Sequence, residues 1–192
     1  SNSSWWAVYQ SNEYIINAFK YANKYAPANV ELYYNDYNEC DSGKMKGIVQ
    51  LLTDVKNAEG TRIDGMGMQG HYNMFNPSVK DIEKAIRAYA AVVGKVNYSE
   101  LDMKVSGDVS SEEKLQKEYL AQAERYHDIY QLLLKLDAEE GIDISGITWW
   151  GTVDHHSWLQ ESSELGGGAN GGMTQCPLLF DTKYKVKPSF WA

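Results

Sequence analysis

Cysteine is scarce in this chain: two in 192 residues, Cys40 and Cys176, with no nearby partner and no metal-ligand spacing. A small fold stapled by disulfides or built on structural zinc is therefore excluded. Basic residues are in the minority, 18 against 26 acidic ones, for a net charge of −8. That balance lacks the electrostatic footprint of a nucleic-acid binder and suits a neutral substrate. Long apolar runs are missing as well, so nothing reads as a membrane span. No signal peptide opens the chain; Ser1-Asn2-Ser3-Ser4 reads as an internal cut or as appended residues. No pattern calls for a cofactor. Phenylalanine is rare, four residues, while Trp and Tyr number six and fourteen. These last two pair an apolar ring face with a polar handle, which matches the apolar faces and hydroxyl rims of sugar rings as well as it fills a core.

What remains is an ordinary globular composition, 43% hydrophobic and 23% charged, arranged in alternating helix and strand patterns. Helical periodicity covers residues 12–26, with Ile15, Ala18, Phe19 and Ala22 on one face, and recurs from Met45 to Val55. A third helix carries Val79, Ile82, Ile86, Tyr89 and Val93. Pro77 is expected in its first turn, and Ser78 and Asp81 stand at capping spacing. A fourth runs over 111–140 with Leu115, Tyr119, Ala123, Tyr126, Tyr130 and Leu133. Strands are expected at 30–34, 63–69, 96–103 and 144–150, and one more helix from Pro188. The glycine-rich stretch 166–172 reads as a flexible loop or connector.

Strict alternation implies a parallel sheet covered by helices, either doubly wound or closed as a (β/α)₈ barrel. Gly65-Met66-Gly67-Met68-Gln69-Gly70 approaches a dinucleotide-binding pattern. It opens no helix, so the glycines read instead as small residues where barrel strands crowd. Every strand also ends in functional side chains: Asn35 to Asn38, Gln69 to His71, Glu100 to Asp102, and Trp149-Trp150. Four such ends favour the C-terminal face of a barrel, where active sites sit.

Side chains two apart on a strand share a face. Glu100 then accompanies Asp102, Gln69 accompanies His71, and Asn35 accompanies Tyr37. A histidine held by one acid and donating to another keeps the second ionised, as a carboxylate nucleophile requires. Trp150 and Trp158 flank a loop and can wall a sugar-sized slot. Asp154-His155-His156 is a weak metal pattern without further ligands placed for it, His127 reads as structural or solvent-facing, and Asn97-Tyr98-Ser99 is a glycosylation triplet inside a strand.

The motifs Leu32-Tyr33-Tyr34-Asn35-Asp36-Tyr37-Asn38, Asp64-Gly65-Met66-Gly67-Met68-Gln69-Gly70-His71, Ser99-Glu100-Leu101-Asp102 and Ile147-Thr148-Trp149-Trp150-Gly151 resemble strands five to eight of the family-10 glycoside hydrolases, endo-β-1,4-xylanases. Ser157-Trp158-Leu159 and the segment from Pro177 to Pro188 are similar too, so the resemblance spans the chain, 1–192, as the C-terminal half of a catalytic TIM barrel. It implies retaining cleavage of xylan or xylo-oligosaccharides, with Glu100 as nucleophile and His71 and Asp102 in support. Gln69, Trp150 and Trp158 would line the −1 subsite, and Asn35 and Tyr37 the cleft near the cleaved bond. A polymeric substrate further implies a secreted, periplasmic or cell-surface protein.

One departure stands out. The family's acid/base Glu belongs to a strand-four motif that nothing here matches; Ser4-Trp5-Trp6 resembles the segment just after it. The expected partner is thus the missing N-terminal half barrel, as a second chain, an absent segment or a second copy. A non-catalytic carbohydrate-binding or scaffold half-barrel and a related β-glucan hydrolase are the alternatives.

Overall fold

A computed structural model describes residues 3–105, 109–159 and 175–192. The glycine-rich stretch 166–172 lies outside the described residues. The chain opens with a short helix the periodicity did not announce, α1 (Ser4–Tyr9), followed by α2 (Glu13–Tyr25). Then come β1 (Tyr33–Asp36), α3 (Ser42–Asn57), β2 (Gly65–Met68), β3 (His71–Asn73), α4 (Val79–Val93), β4 (Lys95–Lys104), α5 (Glu112–Leu134) and β5 (Asp143–Trp149). Asp41 caps α3 by accepting from the backbone of Gly43 and Lys44. Ser78 caps α4 in a reciprocal box with Asp81. Pro77 therefore precedes the cap and is not in the first turn, because Ser78 takes the non-helical cap conformation. The segment from Pro188 makes only a 3₁₀ turn, Pro188–Phe190, and α5 ends in a π turn, Lys135–Glu139.

All strand pairs are parallel. β2 lies between β1 and β4, and β5 pairs with the other side of β4. The second expected strand is split at Gln69-Gly70: β2 and β3 follow one another along β4, Met68 opposite Tyr98 and His71 opposite Asp102. Two residues on one side thus face three on the other. The same extra residue appears against β5, where Tyr98 pairs with Ile147 and Leu101 with Trp149. A bulge at Ser99-Glu100 satisfies both neighbours.

The bulge resets which way β4 side chains point. Before it, Val96 and Tyr98 face the helices; after it, Leu101 and Met103 do. They join Met66, Met68 and Tyr72 in a core roofed by Ile82, Ile86 and Tyr89 of α4 and by Tyr126, Ile129 and Leu133 of α5. A second cluster seats Phe19 of α2 on Leu51 and Val55 of α3, against Leu32 and Tyr34. Among the described residues the helices build both core clusters on that one face, as in a barrel and unlike a doubly wound sheet.

The other face carries small and polar residues. A side-chain carbon on Gly65 would stand 2.1 Å from the Tyr33 ring, and one on Gly67 would stand 2.8 Å from Asn35 Oδ1. The glycines thus mark crowding between neighbouring strands. α5 buries Gln122 where its periodicity pointed to Ala123. The Gln122 amide donates to the carbonyls of Met103 (2.7 Å) and Cys176 (2.8 Å) and ties the C-terminal segment to β4.

Candidate active site

The strand ends deliver their side chains to one cleft. Strict alternation from Val96 would have sent Glu100 into the helix layer with Tyr98. The bulge turns it to the mouth, where it sits beside Asp102. Asp102 is fully buried and accepts two hydrogen bonds. His71 Nδ1 lies 3.0 Å from Oδ1, and the indole Nε1 of Trp158 donates to Oδ2 at 2.9 Å. On its other side His71 places Nε2 3.3 Å from Glu100 Oε2. Glu100 Oε1 accepts from Asn35 Nδ2 at 3.0 Å. Ser99, absent from the sequence-level selection, donates to Asn35 Oδ1 at 2.5 Å. That bond fixes which end of the amide faces Glu100.

The result is one hydrogen-bonded chain, Ser99–Asn35–Glu100–His71–Asp102–Trp158. Burial alone would depress the His71 imidazole, but the hydrogen bonds and charges of Asp102 and Glu100 outweigh it and hold it above its ordinary value. An imidazolium donates through both nitrogens and so reaches both carboxyl groups.

This has a pH consequence. A raised folded-state value means that His71 stabilises the fold fully below its unfolded value of about 6.5 and loses that contribution as pH rises through the folded value. The denaturation free energy of the wild type minus that of His71→Gln is accordingly expected to be larger at pH 6 than at pH 9. A difference that stays flat or grows with pH would contradict the arrangement.

The remaining selected residues surround this chain. A cavity of about 540 Å³ is lined by Tyr37, Gln69, His71, Glu100, Trp150 and Trp158, among others. Both tryptophans stand near edge-on to the imidazole, with centroids at 6.4 Å for Trp150 and 5.2 Å for Trp158. Both remain partly exposed where they line the cavity. Gln69 anchors the bulge by accepting the Glu100 N–H at 3.1 Å on its backbone carbonyl. Tyr37 is largely exposed, with the Lys44 ammonium 3.6 Å from its ring centroid.

The Asp154-His155-His156 triplet does not converge. Asp154 turns inward to the buried Lys187, whereas His155 faces Tyr184. Among the described residues no group of three His, Cys, Asp or Glu is placed to hold a metal ion. His127 is exposed on α5, and no described helix is long and apolar enough to cross a membrane. Neither Cys40 nor Cys176 is in a disulfide.

A parallel sheet with helices on one face and polar groups gathered beyond its strand ends is the architecture of a (β/α)-barrel enzyme. The chain matches the Glycosyl hydrolase family 10 model over residues 1–192 and belongs to that family. Endo-1,4-β-xylanase B of Paenibacillus barcinonensis is 32% identical over 186 residues, which are 97% of this chain and 54% of that protein. A solved family-10 structure from the same organism superposes with a TM-score of 0.83 at 33% identity, covering 100% of this chain and 55% of its own. An intracellular xylanase of Thermoanaerobacterium saccharolyticum gives 0.79 at 33%, over 100% and 52%. The chain therefore spans about half the length of the relatives it matches, and its fold is about half of a (β/α)₈ barrel.

Proposed function

We propose that this chain, 1–192, is the C-terminal half of a catalytic barrel and carries the nucleophile of a retaining endo-β-1,4-xylanase. The observation that carries the reading is Glu100 held between Asn35 and His71, with His71 in turn held by the buried Asp102, in a cleft walled by Trp150 and Trp158. In this scheme a Glu100 oxygen attacks the anomeric carbon as the bond to the leaving oxygen breaks. Water then hydrolyses the glycosyl ester, with overall retention. The sugar in the −1 subsite lies against the tryptophans, with Gln69 beside it, and Asn35 and Tyr37 border the cleaved bond.

Retention requires a second carboxyl about 5–5.5 Å from the first. Among the described residues, the carboxylates lining the cavity are Glu100 and Asp102, and Asp102 is buried and committed to two donors. The acid/base group therefore comes from the other half of the barrel, whose strands would pair with the free edges of β1 and β5. By itself the chain is expected to bind xylo-oligosaccharides without cleaving them, the one sense in which a carbohydrate-binding half-barrel describes it. A polymeric substrate places the complete enzyme outside the cytoplasm or on the cell surface. The intracellular relative makes cell fractionation the relevant check.

The test is to assay the chain alone, and assembled with strands one to four of a family-10 relative, on arabinoxylan and carboxymethylcellulose, following the anomer first formed by proton NMR. Activity on arabinoxylan in the assembly alone, with β-anomer released first, is the expected result. Initial α-anomer, or preference for the cellulose derivative, would overturn the mechanism or the substrate respectively.

A further inference from the structure

Beneath the cleft, on the helix side of the sheet, polar groups tie three strands together. Beyond β1, Asn38 takes a left-handed conformation, φ 50°, and the chain turns Glu39 into the core, where it is 1% exposed. The Tyr72 hydroxyl of β3 donates to Glu39 Oε1 at 2.9 Å and lies 3.1 Å from the Tyr98 hydroxyl of β4. The two tyrosine rings meet edge-on. From α4, the Tyr89 hydroxyl donates to the Glu39 carbonyl at 2.6 Å and fixes the residue by its backbone as well.

An acid and its hydroxyl partners are costly as core filler, since apolar side chains would occupy the space without losing hydration. The best-attested use of such a group is to specify register. Register is what is at stake here. Tyr98 is the last residue before the Ser99-Glu100 bulge. Tyr72 follows the Gln69-Gly70 break between β2 and β3, with only His71 between. Gly70, at φ 77°, packs on the same Tyr98 ring, where a side-chain carbon would stand 2.7 Å from it. The cluster thus clamps both sides of the offset that turns Glu100 to the mouth.

We infer that Glu39 is a positioning residue: through Tyr72 and Tyr98 it locks β3 on β4 in the bulged register that holds His71 against Glu100. This rests on the nucleophile reading above and adds a buried residue that touches neither the substrate nor the reacting atoms.

The test is a coupling measurement by NMR on the 192-residue chain. The His71 imidazole is titrated with and without Glu100→Gln, in the wild type, Tyr72→Phe, Glu39→Ala and Glu39→Gln, at a temperature where each is folded. In the wild type Glu100→Gln lowers the His71 midpoint, because Glu100 helps to raise it. Tyr72→Phe leaves the Glu39 carboxyl in place, yet it is expected to shrink that shift to less than about half, and Glu39→Ala likewise. Glu39→Gln keeps an acceptor for Tyr72 and restores the shift. In the assembled barrel, kcat falls roughly tenfold in the two disrupted variants while KM changes little. A shift unchanged in Tyr72→Phe, with only the thermal midpoint lowered, would make the cluster a stabilising element and overturn the inference. So would a Glu39→Gln chain that behaves like Glu39→Ala. An assembled wild type that cleaves no glycan overturns the nucleophile reading instead, and the coupling in the chain alone still decides whether Glu39 holds the register.

Discussion

Replacing Glu100 by alanine in the assembled barrel is expected to lower xylan turnover by on the order of 10⁴-fold or more, the scale typical of losing a nucleophile. The reason lies in what surrounds the carboxylate. Asn35 and His71 each direct a nitrogen at one of its oxygens and so fix where its lone pairs point. An alanine methyl leaves both without an acceptor and supplies no electron pair to the anomeric carbon. Azide should enter the vacated space and, with a substrate bearing a good leaving group, restore turnover as a glycosyl azide of inverted configuration. Initial rates with and without azide check this directly. Residual activity within about tenfold of wild type would mean that another group makes the covalent bond.

The largest expected loss of stability lies away from the cleft floor. Lys187 and Asp154 form a buried ion pair at 3.2 Å, and the Lys187 ammonium also donates to the carbonyls of Cys176 (2.7 Å) and Leu178 (2.6 Å). Burial pushes Lys187 down and Asp154 up, each towards its neutral form, while their mutual attraction opposes both shifts. Lys187→Met strands a buried carboxylate and two carbonyls and is expected to cost about 3–5 kcal/mol. In a chain of this size that lowers the thermal midpoint by roughly 10 °C. Adding Asp154→Leu should recover much of the loss, because a well-packed apolar pair avoids the desolvation cost altogether.

The pair also bears on the site. Asp154 opens the 3₁₀ turn Asp154–His156, just ahead of Trp158, whose indole holds Asp102. Thermal denaturation of the two single variants and the double checks the prediction. A single-variant loss under about 1 kcal/mol would show that the pair is dispensable.

The elements that sequence located best are those whose pattern is local. The 3.6-residue periodicity of Val79, Ile82, Ile86, Tyr89 and Val93 fixed α4 and its buried face, and Ser78 with Asp81 fixed where it starts. The sheet's glycines were legible because a strand interior tolerates them only where a neighbour comes close. Sequence was poorer for buried polar residues away from the strand ends. Gln122, Asp154, Lys187 and Glu39 are all buried, yet their types give no reason to expect it. Their partners lie between 9 and 67 residues away along the chain. Glu39 is an instance: burial raises its carboxyl, and the Tyr72 hydroxyl donates to it from β3 at 2.9 Å.

The sequence by itself determined the alternation of helices and strands from α2 to β5, apart from the split into β2 and β3, the faces that α3 and α4 bury, and the set of side chains waiting at the strand ends. Those follow from periodicity and from chemistry that neighbours in the chain supply. Only the tertiary structure decided that this set becomes a site. Glu100 reaches the mouth because β4 must stay in register with β2 and β3 on one side and β5 on the other. Both registers require one extra residue at Ser99-Glu100. A strand read alone has period two and would have buried that carboxylate among Val96 and Tyr98. The requirement belongs to three strands pairing at once, and no single strand encodes it.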